Sequence, residues 1–300
     1  MKTDWKKILP LPHVHSGKVR EMFSIPGNDS LLLMLATDRI STHDEIHLSE
    51  IPQKGMFLNA LTAFWDSQVL IDVPTHIVAT GRKIYSFLPS GNVYPDDLHL
   101  RSMIVFASEV VPVEFIYRSY LAGSLYKAYA KGSDPYGNNL PAGLQKMDHF
   151  NNPLFTPTEK SMTDPPLDSQ WVRSKYRHES LVTKRAYEQI AQYLQTRGIV
   201  LVDGKFEAAG AMLVDEFGTG DCCRMAFARD IAIAQQYGDE VAWLDKQVAR
   251  DYAEAQWDEK EKYPLTFSPV QIENIKARYE LAFSSITDIP LIEWQKKFLD

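Results

Sequence analysis

The sequence predicts an α+β protein in two lobes, a β-rich N-terminal lobe over 1–110 and an α/β lobe over 111–300, with a binding cleft between them. Two observations carry this. Short apolar and β-branched runs bounded by turn residues crowd the first third, whereas apolar residues at helical spacing dominate later. A chain of 300 residues also sits where single cores stop growing, so one large domain or two closely packed lobes is expected.

In order along the chain, Glu21–Phe23 and Leu31–Ala36 flank a Pro26-Gly27-Asn28-Asp29 turn and read as an antiparallel pair. Met103–Phe106 and Val110–Ile116 are further strands. Glu179–Arg197 carries Val182, Ala186, Ile190 and Tyr193 at helical spacing and stops at Gly198, a residue suited to a helix C-terminus. Val241, Leu244, Val248 and Tyr252 repeat in the same manner and predict another helix. Ser268-Pro269-Val270-Gln271 has the pattern of a capping box with proline in the first turn, opening a helix through Ile272, Ile275 and Tyr279.

Composition excludes several classes. The formal net charge is −7, so no global basic field draws the chain to nucleic acid or to anionic lipid. The longest apolar run, Leu31–Ala36, is six residues, against about 20 needed to cross a bilayer. The first residues lack the apolar stretch of a secretory leader. Cys222 and Cys223 are adjacent and close no useful loop, which fits a reducing, cytoplasmic setting. As a lone pair they also lack the spacing of a zinc site.

Five segments could carry chemistry. In Ile199–Glu207, strand alternation puts Asp203, Lys205 and Glu207 on one face. A short Ala208-Ala209-Gly210-Ala211 connection then leads to Met212–Phe217, so a hairpin would bring Glu207 towards Asp215. Two such carboxylates resist joint ionisation, and a hard divalent cation such as magnesium, shared with substrate phosphates, resolves the conflict. The competing reading is a solvated surface hairpin. In Ser16–Phe23, Gly17 permits close backbone approach and Lys18 and Arg20 alternate, which suits a hairpin over nucleotide phosphates or, more simply, a basic strand start. No P-loop is present. Asp38, Arg39 and Ser41 follow an apolar strand directly, either as strand-end binding groups or as turn caps. Arg118, with Gly123-Ser124 after it, could grip a phosphate bidentately or simply pair with Glu114. Gly218, Gly220 and Asp221 make a turn that presents Arg224.

Together and in order, the stretches GKVREMF, ATDRISTHD, IPQKGMFLNALTAFW, VPVEFIYRSYLAGS, FTPTEK, LVDGKFE, VDEFGTGDCCR and LDKQVARDY resemble the SAICAR synthetase family of purine biosynthesis. They run from Gly17 to Tyr252, and the helix from Ser268 looks like the family's closing helix. The resemblance implies an ATP-grasp-like two-lobed fold with nucleotide between the lobes. It also implies an ATP- and Mg2+-dependent ligase that joins L-aspartate to the carboxylate of carboxyaminoimidazole ribonucleotide by way of an acyl phosphate. By the matched motifs, Gly17, Lys18, Arg20 and Lys205 would serve ATP, and Glu207 and Asp215 would hold magnesium. Lys205, Glu207 and Asp215 would form the catalytic set. Asp38, Arg39, Ser41, Arg118, Ser124, Lys160, Arg224, Lys246 and Gln247 would line the substrate side. The partners are then small molecules, with neither nucleic acid nor membrane, and a homo-oligomer is compatible with this picture.

The chain departs from the family pattern in four places, one of them Met225-Ala226, where the family has an aromatic pair beyond Arg224. In Met162-Thr163-Asp164, threonine stands where the family has histidine. Ala208-Ala209 replaces Phe-Gly after KFE, and Cys222-Cys223 replaces Ser-Ser before Arg224. A thiol donates a weaker hydrogen bond than a hydroxyl, so these changes leave open a relative that joins a different acid and amine in a specialised nucleoside pathway. A nucleotide-binding module without turnover is the alternative from another class. Release of ADP with candidate acids and amines discriminates among them.

Overall fold

In the computed structural model, residues 3–161, 163–257 and 261–300 are described. Two compact units emerge: Met1–Phe64, His76–Ser108 and Leu244–Asp300 form one, and Trp65–Thr75 with Glu109–Trp243 form the other.

The first unit is built on an antiparallel sheet ordered β1 (His13–Ser16), β2 (Arg20–Ile25), β3 (Asn28–Ala36), β7 (Ser102–Phe106) and β6 (Ile77–Thr80). A separate hairpin joins β4 (Arg39–Thr42) to β5 (Glu45–Glu50). β2 alternates buried and half-buried positions, which puts Phe23 and Ile25 inward. Their core partners are Leu33 and Leu35 of β3, Ile104 of β7, Trp5 of helix α1 (Trp5–Ile8) and Leu98 of α3 (Leu98–Arg101). Full burial of each such large apolar side chain stabilises the unit by about 1.5–3 kcal/mol. Helix α2 (Lys54–Phe64) is buried on nearly every face, and a Cβ at Gly55 would lie 2.3 Å from the Ala36 carbonyl oxygen, so glycine lets the helix lie against the end of β3. The unit is completed by α8 (Gln247–Glu254), α9 (Pro269–Thr287) and α10 (Leu291–Phe298).

The second unit centres on a sheet ordered β10 (Thr158–Glu159), β8 (Val113–Tyr120), β11 (Ile199–Ala209) and β12 (Met212–Val214). β9 (His149–Phe155) also pairs with β8, and β13 (Cys223–Phe227) also pairs with β11. Around the sheet are α4 (Gly123–Tyr129), α5 (Ser169–Lys175), α6 (Arg177–Thr196) and α7 (Ala228–Tyr237). Helix α6 buries Val182, Ala186, Ile190 and Leu194 and packs on β11. Gly198 follows at φ 66°, the left-handed conformation that ends a helix at little cost.

Most expected elements appear, with four differences. The turn between β2 and β3 is only Pro26-Gly27, because Asn28 and Asp29 already extend β3. The strand read from Val110 starts at Val113 and runs on to Tyr120. Ala208 and Ala209 stay in the strand opposite Leu213 and Met212, leaving Gly210 and Ala211 as the turn. The helix read from Val241 begins only at Gln247, since Trp243 is held in a bridge to Ala226 and the Asp245 carboxylate accepts from the Gln247 amide at 2.6 Å. The capping box at Ser268 forms with both hydrogen bonds in place. Met162 lies outside the described residues, and Thr163 beside it is exposed. Among the described residues no helix is long and apolar enough to cross a membrane.

Candidate active site

The charged array of the second unit follows from register. β8 and β11 run antiparallel with Asp203 opposite Arg118, so residues alternating from those positions share one face of the sheet. That face carries Glu114 and Arg118 from β8, and Asp203, Lys205 and Glu207 from β11. On the other flank of β11, Arg224 of β13 also stands opposite Asp203.

Asp203 therefore lies between two guanidinium groups. Its Oδ2 accepts from Arg118 at 2.6 Å and also from Arg224, while Oδ1 accepts from Nε of Arg224 at 3.0 Å. Arg118 is further fixed by donating to Thr156 Oγ1 at 2.9 Å and to Ser124 Oγ at 3.0 Å. Gly123 makes room for Arg224: it sits at φ 57°, and a Cβ there would come within 2.2 Å of the guanidinium. Two guanidinium groups thus stand side by side in a largely buried place, a setting that suits an anion. The alternative pairing of Arg118 with Glu114 does not occur.

Glu114 instead accepts from Lys205 Nζ at 2.6 Å and from Thr158 Oγ1 at 3.1 Å. Burial works against the charge on Lys205, but Glu114, Glu207 and Asp215 outweigh it and hold the ammonium well above the ordinary lysine range. Lys205 is thus a fixed cation rather than a base. Glu207 lies on the same face, and its carboxylate accepts from Lys160, which follows β10. Burial, and then the charge of Asp215, push the Glu207 carboxyl up, with Lys160 and Lys205 opposing. Asp215 follows the last residue of β12 at φ 63°.

Among the described residues no group of three His, Cys, Asp or Glu side chains is arranged to hold a metal by itself. The donor set nonetheless fits magnesium, which takes one or two carboxylates and completes its shell with phosphate and water oxygens. A cation there would also offset the burial and the Asp215 charge that raise Glu207. Cys222 and Cys223 are free thiols with sulfurs 3.7 Å apart. The hydrogen bond to Cys222 and burial push the Cys223 thiol up, away from the thiolate form.

In the first unit, Gly17, Lys18, Arg20, Asp38 and Arg39 gather where β2 begins and β3 ends. Lys18 pairs with Asp44. Arg20 opens β2 and is half-buried. Asp38 has a structural use: its carboxylate accepts from the amides of Gln53 at 3.3 Å and Gly55 at 2.9 Å and from Arg101 at 3.1 Å, anchoring the start of α2. Arg39 bonds to Glu21 and to the backbone around Gly17. Ser41 is buried in β4. Lys246 and Gln247 open α8, where the Gln247 side chain donates to Asp251 at 2.8 Å. Glu114, Glu21 and Asp203 have no assigned site role in the sequence pattern; strand alternation with Arg118 and Lys205 is the signal that marks Glu114 and Asp203.

A mixed α/β fold whose sheet carries lysines, arginines and carboxylates on one face defines a protein equipped for small, highly charged ligands. The chain belongs to the SAICAR synthetase family, whose profile matches residues 13–264. It is 35% identical over 287 residues to the phosphoribosylaminoimidazole-succinocarboxamide synthase of Desulfotalea psychrophila (strain LSv54 / DSM 12343), covering 91% of this chain and 94% of that protein. Identity to the synthase of Saccharomyces cerevisiae (strain ATCC 204508 / S288c) is 33% over 273 residues, covering 85% and 87%. Among solved structures, the SAICAR synthase of Saccharomyces cerevisiae complexed with SAICAR superposes with a TM-score of 0.81 at 29% identity, covering 97% of this chain and 98% of that one.

Proposed function

We propose that the chain is an ATP-dependent carbon–nitrogen ligase joining L-aspartate to the carboxylate of carboxyaminoimidazole ribonucleotide in purine biosynthesis. Family membership and the names of its relatives support this. The observation that carries it is the array on β8, β11 and β13, where a double-arginine anion site adjoins a lysine and a buried carboxylate. Neither a relative acting on another acid and amine nor a module that only binds nucleotide is favoured by the relatives of the chain.

The chemistry follows from leaving groups. An oxide cannot leave a carboxylate, so a carboxylate oxygen attacks the γ-phosphorus of ATP and ADP departs. The aspartate amine then attacks the acyl carbon, phosphate leaves, and the amine gives up a proton. Positioning and charge neutralisation supply the catalysis. In this reading Gly17, Lys18 and Arg20 attend the ATP phosphates, with Lys205 as a permanent countercharge. Arg118, Ser124 and Arg224 hold the ribonucleotide phosphate, and Lys160, Lys246 and Gln247 attend the acid substrates. Glu207 and Asp215 would hold magnesium, which supplies charge neutralisation on the phosphates. The ATP-grasp-like, two-lobed use of the fold and a cytoplasmic setting belong to the same proposal.

The test is direct. Purified protein with ATP, Mg2+, aspartate and the ribonucleotide acid should release ADP and form the amide. Turnover of another acid–amine pair, with none of this one, would overturn the substrate assignment; absence of ADP release with every pair would overturn the ligase itself.

A further inference from the structure

All four carbonyl oxygens of the turn Gly17–Arg20 are gripped by Thr37 and Arg39. Arg39 donates through one terminal nitrogen to Gly17 O at 2.9 Å and Arg20 O at 3.0 Å, and through Nε to Lys18 O at 3.1 Å. The remaining carbonyl, that of Val19, accepts from the Thr37 amide at 2.9 Å and the Thr37 hydroxyl at 2.8 Å. Four consecutive carbonyls thus turn towards the residues that follow β3.

In a trans peptide unit the C=O and N–H point in opposite directions. Because Gly17 O and Lys18 O face Arg39, the amides of Lys18 and Val19 face away from it. Successive outward amides make an anion-binding concavity. Arg39 is itself held in place: its other terminal nitrogen donates to Glu21, which also accepts from Ser16 at 2.6 Å and His13 at 2.7 Å. Burial would raise the Glu21 carboxyl, but the hydrogen bonds from Ser16, Arg39 and His13 hold it below the usual carboxylate range, so it stays anionic beside the guanidinium. A lysine could not replace this arginine, since three carbonyls and a carboxylate are met by a planar fork of fixed geometry.

We infer that Arg39 is a positioning residue for ATP, setting the Gly17–Arg20 turn so that its amides face the nucleotide phosphates, rather than a residue that touches the ribonucleotide. This rests on the reading of that turn as an ATP-phosphate loop.

The test compares Arg39→Lys and Arg39→Ala with wild type. Wild type must first show saturable ATP dependence; if it shows none, the ATP reading itself fails, separately from the role of Arg39. The KM for ATP should rise about tenfold or more in both variants, with the ribonucleotide KM changed less than about threefold. Added guanidinium should partly restore the ATP KM of Arg39→Ala but not of Arg39→Lys. Binding of a non-hydrolysable ATP analogue should slow amide hydrogen exchange across 17–20 in wild type and not in Arg39→Lys. A rise confined to the ribonucleotide KM, or undiminished protection of the turn in Arg39→Lys, would overturn the inference. If Arg39→Ala does not fold, Glu21→Gln, which loosens the same brace, should raise the ATP KM in the same direction, and an unchanged ATP KM there counts against it.

Discussion

Lys205 on β11 donates a 2.6 Å hydrogen bond to Oε1 of Glu114 on β8, and that carboxylate also holds Thr158 of β10. The pair ties three strands together through one acid. Its lysine side chain is still 39% exposed and so remains within reach of a ligand. Replacing Lys205 by Met removes the countercharge where the transferring phosphate would develop charge, and turnover should fall about 100-fold or more. Glu114→Gln keeps a hydrogen-bonding group but releases the ammonium, so a smaller loss is expected. Steady-state kinetics on both variants, with circular dichroism as a check on folding, tests the ranking; equal activity of Lys205→Met and wild type would remove Lys205 from the catalytic set.

Asp203 keeps Arg118 and Arg224 side by side. In Asp203→Asn the buried Arg118 and the half-buried Arg224 lose their shared anion, a change that costs up to about 3–5 kcal/mol where both partners are buried. Thermal melting should therefore drop, and the ribonucleotide KM should rise. Gly123→Ala attacks the same array from another side, since its Cβ would press on the Arg224 guanidinium. The expected signature is a raised ribonucleotide KM with the ATP KM little altered.

Asp215 adds to the burial that raises the Glu207 carboxyl. Asp215→Ala should abolish ligation, because a single carboxylate remains for magnesium, while the fold persists. Isothermal titration with Mg2+ and nucleotide should show the lost affinity. Full activity in this variant would refute the magnesium assignment.

Glu21 supplies a pH test of stability. Its folded-state carboxyl is held below the ordinary value, so its contribution is fully present above the unfolded value of about 4.3 and is lost as pH falls through the folded value. Wild type should be more heat-stable than Glu21→Gln at neutral pH, and the gap should close as the solution is taken below pH of about 4. A gap that stays constant into acid would mean that Glu21 acts through packing alone.

How much of this was legible in the sequence depended on the kind of signal. Strand alternation in Asp203-Gly204-Lys205-Phe206-Glu207 alone puts three charges on one face, and the capping pattern at Ser268 locates the start of α9. Helix α2 was hidden, because a segment buried all round has no polar face to mark a period. The helix at Val241 was overextended because helical spacing alone does not reveal that Trp243 is held in a bridge to Ala226. The partners of Arg118 were ambiguous for a related reason: Glu114 is near in sequence, whereas Asp203 is brought opposite only by the pairing of β8 with β11.

A turn held by its oxygens from one side has a consequence for how it can vary. The brace on Gly17–Arg20 uses main-chain atoms, so it asks little of the side chains at Lys18 and Val19 beyond their own tasks. Changes there should alter ligand grip while the loop keeps its shape. A change at Thr37 or Arg39, outside the loop, would reshape it even with its own sequence untouched.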